Sequence, residues 1–136
     1  MRYNLITSVL SLFLITIACA QDGGGVVDVT NKAALEAAKG ASGTVEGKIA
    51  KAEWSRSGKV MNIEFEGAPD FVGAAFEKAR VKLDEGFNGD LAKTLTGAKV
   101  RLTGKLDVYG GKAPEYVGRM QIIITAANQI TILEPA

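Results

Sequence analysis

From Thr44 onward the hydrophobic residues recur at every second position, the spacing of a strand with one buried face. "TVEGKIAKAEW" places Val45, Gly47 and Ile49 on one side and Glu46, Lys48 and Ala50 on the other. After "SRSGK", the run "VMNIEFEG" turns Met61, Ile63 and Phe65 inward and Asn62, Glu64 and Glu66 outward. The two runs therefore form a hairpin closed at Ser57-Gly58. "FVGAAFEKARVKL" is expected as a longer third strand, whose small residues Gly73, Ala74 and Ala75 permit strong bending. Alternation stops in "DEGFNGDLAKTLTG", where Asp90 to Thr96 has room for about two helical turns before Gly97. It resumes in a fourth strand, with Val100, Leu102, Gly104, Leu106 and Val108 predicted inward and Arg101, Thr103, Lys105, Asp107 and Tyr109 outward. Gly110-Gly111 is expected to supply the positive φ of a tight turn. A fifth strand then runs to Thr125, followed by a turn at Ala126 to Asn128 and a short apolar ending at Ile130 to Leu133.

Ahead of this β region, Thr30 or Asn31 can cap a short helix at 31–39, "NKAALEAAK", with Gly40 as its stop. Its stripe of Ala34, Leu35 and Ala38 is narrow, so the helix can only dock on something larger, as a plug or lid. The resulting order is three strands, a helix and two strands, preceded by a helix. That is the order of a five-stranded OB-fold barrel in an all-β domain with short helices, assigned to residues 30–136. Gly47 and Gly104 occupy equivalent settings, "TVEGKI" and "RLTGKL", where barrel closure calls for sharp coiling.

The N-terminal segment has a different pattern. Arg2 precedes a predominantly apolar, uncharged run from Leu5 to Ala18, too short to span a bilayer and of the length of a secretory signal. Residues 1–18 are therefore read as a signal peptide. Ile15-Thr16-Ile17-Ala18-Cys19 is similar to a bacterial lipobox, with Thr16 in place of the usual Leu, which would make a lipidated Cys19 the mature N-terminus. Ala18-Cys19-Ala20 also satisfies the rule for ordinary signal peptidase, which would give a soluble periplasmic or secreted protein. Cys19 is the sole cysteine and stands where a lipobox needs it, which favours an exported, membrane-anchored lipoprotein. Ala20 after the cysteine implies the outer membrane if the source is diderm. Residues 19–29, with three consecutive glycines, are expected as a flexible tether.

Charge narrows the range of functions. Removing the first 18 of 136 residues leaves 118 and takes Arg2 from the 16 basic residues, so 15 basic residues face 15 acidic ones. A neutral domain argues against tight non-specific nucleic-acid binding and leaves room for a local patch. No histidine is present, which excludes imidazole-based triads and His-ligated metal sites, and no Walker or dinucleotide loop occurs. Glu64 and Glu66 could flank a cation, but solvated surface carboxylates are the better reading of the pair. The chain is accordingly expected to be non-enzymatic and without a cofactor.

The segments "VEGKI", "SGKVMNIEF", "FVGAAF", "LTGAKVRLTGKLDVYGGKAPE" and "NQITIL" together resemble the OB-fold domain of secreted bacterial nucleases of the YhcR type and of many small exported bacterial proteins. These belong to the tRNA-anti-like, nucleic-acid-binding OB superfamily. The resemblance spans roughly Thr44 to Leu133. Ala113 interrupts the usual Gly-Lys-Pro-Glu, and "YVGRMQIII" is a few residues longer than the usual fifth strand. Both departures would re-aim the rim loop and leave the barrel intact. In the nuclease-bearing relatives the catalytic residues lie in a separate domain whose sequence is not found here.

OB folds bind on the face of strands two and three, flanked by the loops between strands one and two and between strands four and five. Here those loops pair aromatics with cations: Trp54, Arg56 and Lys59 in one, and Tyr109, Lys112 and Tyr116 in the other, with Arg119 close by. Stacked bases and phosphate contacts from such residues would hold a single strand of DNA or RNA, or another polyanion. The plainer alternative has Trp54 and Tyr116 closing the barrel ends. Glu53, Glu64, Glu66 and Glu115 dilute the positive field, so a protein, peptide or small ligand on the same face is the second hypothesis. The chain is expected to be monomeric.

Overall fold

The structure is a computed structural model that describes residues 25–136. The expected signal peptide, Cys19 and the first part of the tether lie outside the described residues. Eight strands form one continuous sheet among the described residues. They are β1 (Val26–Asp28), β2 (Ser42–Trp54), β3 (Val60–Phe65), β4 (Phe71–Phe76), β5 (Lys99–Lys105), β6 (Asp107–Val108), β7 (Met120–Ile124) and β8 (Ile130–Glu134). Three helices accompany them: α1 (Lys32–Ala37), α2 (Glu77–Gly86) and α3 (Leu91–Leu95).

The sheet curls because β2 is long and pairs on both edges. One edge, at Ser42 to Lys48, is antiparallel to β5, and the other, at Ile49 to Trp54, is antiparallel to β3. The crossover is marked by a register break between Ile49 and Lys51. There the helical segment supplies the missing backbone partners: Ile49 N–H donates to Ala98 O at 2.8 Å, and Ala52 N–H donates to Thr96 Oγ1 at 3.2 Å. The bulge reverses the inward side of β2 from Val45 and Ile49 to Ala52 and Trp54. From β3 the order continues antiparallel to β4 and then parallel to β7. β6 returns antiparallel to β7 and is joined to β5 through Leu106 alone, which closes the ring covalently. β2, β3, β4, β5 and β7 are thus the five strands of an OB barrel, with α2 and α3 between the third and fourth. The predicted fold holds.

Closure between β5 and β7 is completed by one side chain. Gln129 Nε2 donates to Thr103 O at 2.9 Å and to Ile123 O at 3.0 Å, while its Oε1 accepts from Thr125 N–H at 2.8 Å. This explains Gly104, where a Cβ would come within 2.7 Å of Ile122 Cγ2 and 3.1 Å of Gln129 Nε2. Gly47 likewise lies beneath the side chains of Val29 and Phe65. Both glycines admit close-packed neighbours, and the coiling expected of Gly47 is carried by the nearby bulge.

The core is apolar, and no polar or charged residue is buried among the described residues. Ile49, Met61, Ile63, Phe71, Leu102 and Ile122 fill its centre, and Leu83, Leu91 and Leu95 plug one end. At roughly 1.5–3 kcal/mol per fully buried aliphatic or aromatic side chain, these residues dominate folding. α1 inserts Leu35, fully buried, and is capped by Asn31, whose side chain accepts from Ala34 N–H at 3.1 Å. The plug expected of this helix is what forms.

Four expectations change. Val26–Asp28, read as the end of the tether, is a strand parallel to Thr44–Glu46. The third strand stops at Phe76, and Glu77 to Leu83, expected to extend it, begins α2. Val108 faces solvent, because the chain reverses sides at Leu106. Gly110 and Gly111 do not have positive φ; the positive value, +90°, is at Gly118, and residues 109–119 form a loop instead of a tight turn.

Candidate nucleic-acid interface

The loop 109–119 is closed where Tyr109 N–H donates to Arg119 O at 2.8 Å, and it contains a turn of 3-10 helix at Pro114–Tyr116. Tyr109 curls back so far that a Cβ on Gly111 would collide with its hydroxyl, which in turn accepts from Ala113 N–H at 3.3 Å. Tyr116 is thereby set down on the outward face of β3, where its hydroxyl donates to Glu64 Oε2 at 2.7 Å. Tyr109 meets Tyr116 edge-on at 5.6 Å, and the Arg119 guanidinium lies 5.0 Å from the Tyr116 ring. Burial, and next the hydrogen bond to the Glu64 carboxylate, push the Tyr116 hydroxyl well above the ordinary tyrosine range. Val72, on the outward side of β4, is also fully buried.

The candidate residues are therefore divided. Tyr109, Tyr116 and Arg119 come together, but they stack on one another. Trp54 lies opposite Met61 on the inward side, half-buried against the core, with the Arg80 guanidinium 4.5 Å over its ring. Arg56 and Lys59 are exposed at the β2–β3 turn, where Gly58 has φ +76°. Tyr109 and Lys112 also line the open part of the face.

That open part is a groove of about 650 Å³ across β3, β4 and β7. Val60, Ala74, Phe76 and Ile123 supply its apolar floor, and Asn62, Gln121 and Lys112 its polar groups. Asn62 Oδ1 is buried with no hydrogen-bond partner, an uncompensated acceptor beneath the groove. Phe76 and Ile123 remain 44% and 41% exposed, which is unusual for large apolar side chains so close together. No carboxylate lines this groove. Carboxylates border it on two sides: Glu53 and Glu64 in a small pit that shares Ser55 and Asn62 with the groove, and Asp107 beside Gln121 and Ile123.

Asn62, Phe76, Gln121 and Ile123 are absent from the sequence-derived set. Period two places 72, 74 and 76 outward together, so Phe76 was within reach of the pattern once the strand is known to end there. Asn62 and Gln121 carried no such signal, because a polar residue on an outward strand face is the common case.

Among the described residues, no group of three or more acidic, cysteine or histidine side chains is placed to hold a metal ion. No helix among them is long and apolar enough to cross a membrane.

Neither a protein-family model nor a curated protein sequence matches the chain. Solved structures do. An aspartyl-tRNA synthetase from Entamoeba histolytica matches with a TM-score of 0.56 at 11% identity over 95% of this chain. An asparaginyl-tRNA synthetase from the same organism, in complex with asparaginyl-adenylate, matches with a TM-score of 0.53 at 16% identity over 83%. A Leishmania major Friedlin protein described as an aspartyl-tRNA synthetase gives 0.58 at 9% identity over 91%. The chain spans only 23–27% of the length of these proteins. At such identities the likeness establishes the fold. The class is therefore an OB-fold domain whose outer β3–β4–β7 face is partly covered by its own loop.

Proposed function

We propose that the protein is a non-enzymatic OB-fold module that binds single-stranded nucleic acid in the groove of Phe76, Asn62, Gln121 and Lys112. The observation that carries this reading is the groove's composition. It pairs an exposed aromatic and an apolar floor with amide side chains and a lysine, and no carboxylate is in its lining. A base stacked on Phe76 could bond Gln121 through its edge, and Lys112 would meet the phosphate. The similarity to tRNA synthetases supports this choice of ligand. A lipid anchor at Cys19 and an envelope location complete the proposal, resting on the sequence of residues 1–19.

The decisive measurement is fluorescence anisotropy of a labelled single strand titrated with the protein. Binding that weakens steeply between about 50 and 200 mM salt supports the reading. Binding that ignores salt, or none at micromolar protein, overturns it. The second reading, a protein or peptide partner, draws on the strip of Val108, Ile123 and Phe76, each exposed by about two-fifths. It predicts salt-insensitive association that Phe76→Ala still disrupts. For the anchor, labelled palmitate should enter the native protein and be lost in Cys19→Ala.

A further inference from the structure

A second groove adjoins the first. It is bounded by Phe76, Lys78, Ala79, Lys82, Ile124 and Thr125 and encloses about 540 Å³. Phe76 is the wall common to both grooves, so the two run together over one half-exposed phenyl ring. Lys78 and Lys82 are four residues apart on α2 and hence on one face of that helix, one turn from each other. Like the first groove, this one has no carboxylate in its lining. The ion pairs formed among the described residues involve Lys48, Lys51, Arg80, Lys99, Arg101 and Lys105, but not Lys78, Lys82 or Lys112. In a chain with 16 basic and 15 acidic residues, two adjoining grooves with three unengaged lysines and no acid form a local positive track.

Building on the nucleic-acid reading above, we infer that the binding site does not end at the OB face: a single strand crosses Phe76 onto α2, where Lys78 and Lys82 hold successive phosphates. The ring is the stacking platform at the crossing, with one base against it. The strand's backbone leaves the β3–β4–β7 groove past Lys112 and continues along the lysine face of the helix. Charge complementarity selects a phosphate backbone as the occupant of the second groove, since an apolar peptide would leave both ammonium groups unanswered. Helix α2, which the sequence pattern merges into the third strand, thus supplies half of the site.

The test compares strands of two lengths against the native protein and Lys78→Gln/Lys82→Gln, with unfolding midpoints measured as a check on folding. A strand of about four nucleotides fits within the first groove, and one of about twelve spans both. The native protein should bind the longer strand at least tenfold more tightly. The double variant should lose that advantage while keeping its affinity for the short strand. Its slope of log affinity against log salt for the long strand should become shallower by about 0.7 for each phosphate left without its lysine, or about 1.4 in all. An unchanged slope and affinity for the long strand would overturn the extension onto α2 and leave the first groove intact. If the native protein binds neither strand, the nucleic-acid reading fails and the extension fails with it. Because both lysines are exposed side chains on a helix surface, glutamine at these positions leaves the fold unaltered.

Discussion

The two aromatic regions of this barrel, one around Trp54 and Tyr116 and the other around Phe76, are built from similar residue types and are disposed in opposite ways. In the first, each ring already has its cation: Arg80 covers Trp54 and Arg119 lies over Tyr116. Glu64 takes the Tyr116 hydroxyl. Rings and charges satisfied within the protein have little left to offer a ligand, and their interaction becomes part of the stability of the barrel wall. In the second region one phenyl ring stands exposed between two grooves, flanked by lysines without ion-pair partners among the described residues and by an amide oxygen without a donor. Aromatic and basic residues close together in a sequence therefore mark either a wall or a site. What separates the two is whether the groups have spent their interactions on each other.

The comparison can be broken most forcefully at Tyr116. Tyr116→Ala should lower unfolding free energy by about 3 kcal/mol in urea titrations, in the range found for deleting a buried aromatic, and leave single-strand affinity unchanged under folding conditions. A large loss of affinity with intact stability would mean that the wall is the site. Phe76→Ala should do the reverse. Its effect on affinity should reach about tenfold, as expected for one stacked base, while stability falls by less than about 1 kcal/mol because the ring is half-exposed.

A finer probe is Tyr116→Phe, which keeps the ring and removes its bond to Glu64. It should cost about 1 kcal/mol of stability, the usual net worth of such a hydrogen bond, with no change in binding. Smallest is the effect of acid on a region remote from both. The Thr30 hydroxyl and N–H hold the Asp28 carboxyl below its ordinary value, and the Arg101 guanidinium does the same for Glu46. Both folded-state values are depressed, so the stability they add is fully present above the unfolded values near 4 and is lost as pH falls through the folded ones. Hydrogen exchange should accordingly show β1 and its pairing with β2 loosening first below about pH 4, with little change at Phe76.

Much of the fold was legible because one face of nearly every strand is buried, and burial writes period two into the sequence. Met61, Ile63 and Phe65 alternate with polar residues and lie inward as expected, and the Ser57-Gly58 turn joins their strand to β2. The pattern failed where a strand is buried on both faces: five of the six residues of β4 are buried, so nothing in "FVGAAFEKARVKL" marks its passage into α2. It failed again at Gly110-Gly111, since a glycine needed for a positive φ and one needed beneath a tyrosine ring look alike in sequence.

Sequence alone determined the OB topology, the helical plug at Leu35 and the N-cap at Asn31, because alternation, capping and turn chemistry act between near neighbours. It also set the near-neutral charge and the lack of imidazole, which depend on composition only. Tertiary structure alone decided that Trp54 and Tyr116 pack into the barrel wall, that Gln129 closes the barrel between Thr103 and Ile123, and that Asn62 and Lys112 line one groove and Lys78 and Lys82 another, with Phe76 common to both. Those outcomes depend on which cation reaches which ring, and on which groups remain unpaired once residues distant along the chain have met. That is a property of the folded surface.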